Sequence, residues 1–292
     1  MAPMKKSAAV SEQERHLENV ATLLFHKGKL FSGADDGKIK MWSPDLKLEA
    51  EVQAHPVNVY SLAADGDTLY SCSNDGSIRS WNIADKLAAG PVVKAECDIE
   101  TMKLKVANDK LYGGDVDGMV TVYTPGKKTT KQYEILEEVG DMEVVGNLLF
   151  TCRDTYVTIT EMLGEKGGFA MRKSMQGRQP LAVNGDRICF VSRDGRCIQI
   201  HENKKEDNFP EVAGVPAHEM VIQAMCFSRD GRYVFTGGYD RVVKRWDLQT
   251  PAESGVTGEF STDPVISSLC AGDKSQIYVG GTAGYLVRVE AA

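Results

Sequence analysis

No run of about 18 uninterrupted apolar residues occurs along this chain, so the sequence offers no candidate for a helical membrane span. The opening MAPMKKSAAVSEQERH lacks the apolar stretch of a secretory signal, and secretion is not expected. Cysteine pairs of the CxxC kind are missing too. The seven cysteines, Cys72, Cys97, Cys152, Cys189, Cys197, Cys226 and Cys270, are odd in number and show no metal-like spacing. Most fall within predicted strands, where cysteine acts as a small buried hydrophobe, and this suits a reducing compartment. The GxxxxGKS/T phosphate loop, the HExxH pair and the EF-hand loop are all absent, so no metal or cofactor is expected. A net charge of -7 argues against broad nucleic-acid affinity, because phosphate binding takes a concentrated positive face.

What the chain does have is repetition. With 42% apolar and 26% charged residues it has the make-up of a soluble globular protein with a sizeable core. Its three tryptophans all sit in copies of one fragment, which returns seven times: LFSGADDGKIKMW, LYSCSNDGSIRSW, LYGGDVDGMVTVY, LLFTCRDTYVTIT, ICFVSRDGRCIQI, VFTGGYDRVVKRW and IYVGGTAGYLVRV. The turn residues of these copies are Asp36, Asp75, Asp117, Asp154, Asp194, Asp240 and Ala283, spaced 39, 42, 37, 40, 46 and 43 apart. A period of roughly 40 to 45 residues built on two short strands around a Gly/Asp turn marks a blade of a β-propeller. Residues 1–292 therefore read as one all-β domain of seven blades.

Each unit opens with an apolar strand, as in VATLLFH, VYSLAA, VIQAMCFS and VISSLCA, followed by a turn rich in Gly, Asp and Asn. A weaker fourth strand is expected between units, in LKLEAEVQAH and KQYEILEEV, where charge protects an exposed edge. The seventh copy reaches its third strand at Val289 with no fourth to follow, whereas residues from about Lys5 to Glu14 precede the first copy. The N-terminal strand is thus expected to complete the seventh blade and close the ring. KKTTK at Lys127 to Lys131 reads as a solvated hairpin.

Counting back from the turn aspartates locates further residues in register. His16 and His55 lie 20 before Asp36 and Asp75, and His218 lies 22 before Asp240. Ser32, Ser71 and Thr236 lie four before, and Trp42, Trp81 and Trp246 six after. With these sets in place the chain resembles the WD-repeat β-propeller family over essentially its whole length. The resemblance implies buried hydrogen-bond tetrads at His16/Ser32/Asp36/Trp42, His55/Ser71/Asp75/Trp81 and His218/Thr236/Asp240/Trp246. The donor and acceptor inventory agrees, since an indole donates, a carboxylate accepts, and a hydroxyl and an imidazole do both. A Ser/His/Asp catalytic triad would use the same residue types, but threefold repetition beside tryptophan points to architecture. Copies three, four, five and seven depart from the pattern, with Tyr123 and Gly113, a shortening near Cys152, Ile200 or His201, and Ala283.

Family members usually bind partners on the face where the Asp turns emerge. The residue before each turn acid points there, which selects Asp35, Asn74, Arg153, Arg193 and Tyr239, while Tyr60 and Met102 start inner strands beside the same opening. Two arginines near an aromatic suit a carboxylate- or phosphate-bearing peptide. The function expected is a non-enzymatic interaction scaffold or adaptor for protein or peptide partners, monomeric alone or within a complex, in the cytoplasm and also the nucleus. A substrate receptor of a cullin-type ubiquitin ligase is one alternative, weakened because GYDRVVKRWDLQ carries Gln249 where a basic residue belongs. A propeller hydrolase using carboxylates at the central opening is another.

Overall fold

The computed structural model describes residues 4–124, 131–135, 137–153, 155–164, 168–250 and 255–291. Seven four-stranded antiparallel sheets account for the strands, and in six of them the strands neighbour one another in chain order. This is the architecture of a seven-bladed β-propeller. Most of the KKTTK run and the turn residue Asp154 lie outside the described residues.

The first blade shows why the sequence folds this way. Its strands are Thr22–His26, Lys29–Gly33, Lys38–Trp42 and Leu48–Gln53. Residues 30–33 and 39–42 are buried without alternation, because a blade packs both of its faces against other blades. Alternation returns only at the outer strand Leu48–Gln53, which carries Glu49 and Glu51 at its edge. Gly37 holds the turn at φ +75°, and a Cβ there would overlap the His55 carbonyl oxygen. The Asp-Gly turn is therefore fixed sterically as well as by hydrogen bonds.

The chain divides into two compact units. Unit one, Met1–Val59 with Asp194–Ile198 and Val212–Ala292, holds the first, sixth and seventh blades. Its core joins Phe235, Val243, Ile266, Val279 and Val289, with Trp42, Leu30 and Tyr278 in a second cluster. Unit two, Tyr60–Arg193 with Gln199–Glu211, contains the third and fourth blades. There Phe150, Ile159, Phe190 and Phe209 form one cluster and Tyr112, Val120, Met142 and Leu149 another. Neighbouring inner strands in this unit are also tied by polar groups. Ser61 Oγ accepts the Leu104 amide at 3.1 Å, and Asp141 accepts the Leu181 amide at 2.9 Å while pairing with Lys103 at 2.8 Å.

The seventh sheet is completed by the N-terminal strand. Lys5–Ala9 pairs antiparallel with Leu286–Glu290, in the register Lys5↔Glu290, Lys6↔Val289, Ala8↔Arg288 and Ala9↔Val287. Residues flanking that strand supply its packing. Met4 joins the cluster around Val289, and Val10 the cluster around Trp42 and Tyr278. Ser7 accepts from Arg288 Nε at 2.8 Å, and Arg288 also pairs with Asp45. Burying two side chains of this size is worth about 1.5–3 kcal/mol each. Deleting residues through Val10 should therefore lower the melting temperature by on the order of ten degrees and promote association through the bared edge, as read by calorimetry and light scattering.

Candidate functional site

Two complete tetrads lie in unit one. In the first blade His16 Nδ1 is 3.1 Å from both Asp36 oxygens, and His16 Nε2 is 2.8 Å from Ser32 Oγ. Trp42 Nε1 donates to the same hydroxyl at 2.8 Å. A carboxylate can only accept, so His16 Nδ1–H donates to Asp36, and Nε2 of the neutral ring then accepts the hydroxyl hydrogen while the hydroxyl oxygen takes that of the indole. The proton order is thus set by the two groups that have no choice, the carboxylate and the indole. Asp36 further accepts the amides of Lys38 and Leu17, each at 3.0 Å. The sixth blade repeats the chain, with His218 2.7 Å from both Asp240 and Thr236 and Trp246 donating to Thr236 at 2.9 Å.

The remaining set divides between the units. His55 is buried in unit one, whereas in unit two Trp81 donates to Ser71 at 2.9 Å. Asp75 there accepts the Ser77 amide at 2.8 Å and its hydroxyl at 2.7 Å. The third blade solves the turn differently. Asp117 is exposed, and the amide of Met119 goes to Asp115 at 2.8 Å, two residues earlier. Asp115 also takes the Asp117 amide at 3.1 Å, and burial pushes its carboxyl up from the usual range. In the fifth blade Ile200 is buried and His201 stacks on Phe190 at 5.3 Å.

A further element escaped the spacing argument. Two residues before each tryptophan stands a cation: Lys40, Arg79 and Lys244. Lys40 Nζ donates to the carbonyls of Glu14 and Arg15 at 2.8 and 3.1 Å and pairs with Glu51 at 2.7 Å. Lys244 donates to the Ala217 carbonyl at 2.9 Å and faces Glu259 at 3.9 Å. Arg15 and Ala217 immediately precede His16 and His218, so each lysine pins the loop that delivers the histidine. Arg79 instead reaches Asp75 and Glu96, at 3.3 and 2.7 Å. The K-x-W spacing in KIKMW and VVKRW was the available signal.

The expected partner-facing residues are placed as follows. Asp35, Asn74, Met102 and Tyr60 are half-buried, and Tyr60 donates to Glu100 at 3.2 Å. Arg193 and Tyr239 are exposed. Arg153 is half-buried, forms an ion pair with Glu137 and lies 5.1 Å over the ring of Tyr156, so its aromatic neighbour is Tyr156. The loops that carry the tetrad histidines display apolar side chains that the sequence reading passed over. Leu17 follows His16 and is 79% exposed, while Val57 and Met220, two residues past His55 and His218, are 37% and 50% exposed. In the third blade Ile99 stands two past Cys97 and is 40% exposed. Among the described residues no group of His, Cys, Asp and Glu is arranged to hold a metal ion, and no helix is long and apolar enough to cross a membrane.

Two measurements test the tetrads. Ser32→Ala strands the Trp42 indole and the His16 ring nitrogen, and each buried orphan costs about 1–3 kcal/mol, so denaturant unfolding should lose at least that much. The second is acid unfolding. Burial raises the Asp36 carboxyl, but the bond and charge of His16 together with the Lys38 and Leu17 amides outweigh it and hold the pKa at about 2, against 3.8 for the free side chain. A depressed carboxylate adds stability above pH 3.8 that disappears as pH falls toward 2, and Asp36→Asn should flatten the stability curve in that window. His218 runs the other way. Its burial, only partly offset by the bond to Asp240, lowers its pKa below 6.5, so acidification from pH 6.5 downward costs stability, a loss that His218→Gln should remove.

The sequence model described as WD domain, G-beta repeat matches residues 46–82 and 210–247. No curated protein matches the chain at a significant level. Among solved structures, the WD40 β-propeller domain of Doa1 superposes with a TM-score of 0.81 at 16% identity, covering 100% of this chain and 98% of that one. The computationally designed Ika8 protein gives 0.70 at 17% identity, covering 97% and 99%. At such identities the likeness speaks for the fold, and the repeat matches and the tetrads speak for the lineage. On these grounds the chain carries WD repeats at residues 46–82 and 210–247 in a seven-bladed β-propeller fold.

Proposed function

We propose that the chain is a non-enzymatic platform that holds protein partners against loops anchored by its tetrads. The observation that carries this reading is the repeated display of an apolar side chain, at Leu17, Val57, Ile99 and Met220, one or two residues past the position of the tetrad histidine. Large apolar groups on surface loops lose free energy to water unless something covers them. Here the backbone beneath two of them is held by a buried imidazole, so little ordering cost remains for a partner to meet. Arg193, in the turn after Arg187–Val191, and Tyr239, in the turn after Tyr233–Gly238, are an exposed cation and an exposed aromatic of the kinds that anchor partners. Arg153 contributes less charge than its type suggests, because Glu137 partly neutralises it.

The chemistry of the acidic groups favours binding over catalysis. Asp141, the buried carboxylate at the start of an inner strand, is engaged by Lys103 and two main-chain amides. A general base needs a free lone pair aimed at substrate. The ligase-receptor reading draws little from Asp247, whose carboxylate is bonded to Arg232 at 2.8 Å and to the Gln249 amide at 2.9 Å. Cys97 is an exposed thiol and Cys72, Cys152 and Cys189 are buried ones, which suits a reducing compartment.

The test is affinity capture from the native source with three forms of the chain. Leu17→Asp with Met220→Asp should lose partners that the wild type retains, with an unchanged melting temperature. Arg153→Glu with Arg193→Glu should weaken capture of acidic partners, most of it through Arg193. Equal recovery by all forms refutes the loop surface.

A further inference from the structure

The fourth blade ends in Gly168–Gln176, whose nine residues make it the longest of the described strands. It stands last in its sheet, paired along one edge with Tyr156–Leu163. Among the described residues no strand pairs with its other edge, which presents a row of main-chain donors and acceptors able to take another strand. Four of the outer strands blunt such an edge with acid, Glu49 and Glu51 in the first blade, Glu134 in the third, Glu211 in the fifth and Glu259 in the sixth, while the acid-free Lys5–Ala9 and Ala88–Ala89 are short. This one, GFAMRKSMQ, has no acid at all.

Its side chains divide by chemistry. Phe169 and Met171 lie two residues apart and are 44% and 66% exposed, with the Phe169 ring edge-on to Tyr133 at 6.1 Å. The other face is cationic. Arg172 Nε and Lys205 Nζ converge on Glu161 at 2.6 and 2.5 Å, while Lys173 is bonded only to the neutral carbonyls of Asn208 and Phe209, both at 2.7 Å. Two cations thus share one carboxylate, and the third faces only carbonyls. A register shift opposite Ile159 and Thr160 leaves Arg172 without a cross-strand partner, in the manner of a bulge.

We propose that this free edge binds an extended acidic segment of a partner protein as an added strand. Main-chain pairing supplies the affinity, Phe169 and Met171 receive apolar side chains, and carboxylates fall opposite Arg172 and Lys173. Charge selects the occupant. A second copy of this strand would set Arg172 and Lys173 against their own kind, whereas an acidic segment relieves the positive excess.

The probe is a synthetic nine-residue peptide of alternating Glu and Val, labelled for fluorescence anisotropy and titrated with the full chain. It should bind, lose at least about tenfold in affinity from low to physiological salt, and slow deuterium exchange at the amides of residues 168–176. The same peptide N-methylated at every second residue keeps its charge but loses strand pairing, and should not bind. Met171→Glu should weaken binding by at least about fivefold with the melting temperature unchanged, and Met171→Thr, which keeps strand propensity, should weaken it less. Any of four results overturns the proposal: no binding, equal binding of the methylated peptide, exchange protection confined to other strands, or self-association of the chain abolished by Met171→Glu.

Discussion

The hydroxyl of Ser32, and of Thr236 in its counterpart, is the atom on which the repeat depends. It receives an indole hydrogen from the third strand of its blade and passes its own to an imidazole from the loop before the first strand. One oxygen thereby joins three separated stretches of chain and satisfies both the indole and one imidazole nitrogen. Removing it would leave two orphans at once, so its worth exceeds that of a single bond. The hierarchy of the fold follows from this atom. The hydroxyl fixes the histidine, the histidine fixes the loop, and the loop fixes the exposed residue beside it.

Strictness is not uniform around the repeats. The third blade lacks the hydroxyl, having Gly113 in its place, and meets its turn amide through Asp115. The chemistry required at that turn is one carboxylate oxygen near one amide, and two positions in the chain can supply it. Where packing suffices, as at Ile200 and His201, the polar chain gives way to apolar and stacked contacts. Degeneracy in sequence therefore reflects several local answers to one requirement, that no buried polar group goes unpaired.

Much of this was legible before any coordinates. The period of the Gly/Asp turns set the blade count, and the fixed offsets to His, Ser/Thr and Trp located the tetrads, because a buried network ties residue types to strand positions. Completion of the seventh sheet by Lys5–Ala9 followed from the missing fourth strand. Asp115 was not legible, since two acids flank the turn and spacing alone favours the wrong one. Lys40 and Lys244 were missed because a lysine two residues from tryptophan reads as an ordinary solvent-facing charge until its ammonium is found on a loop carbonyl. Loop residues such as Leu17 and Met220 are harder still. Exposure of an apolar side chain leaves no periodic trace, because each loop has its own length.

Pairing of Lys5–Ala9 with Leu286–Glu290 has a consequence for biosynthesis. Lys5–Ala9 is translated before every one of the seven repeats and acquires its neighbours only after the seventh has been made. Until then this segment must wait unpaired, and the sheet that will receive it does not yet exist. Closing a contact of such separation along the chain carries a large entropic cost.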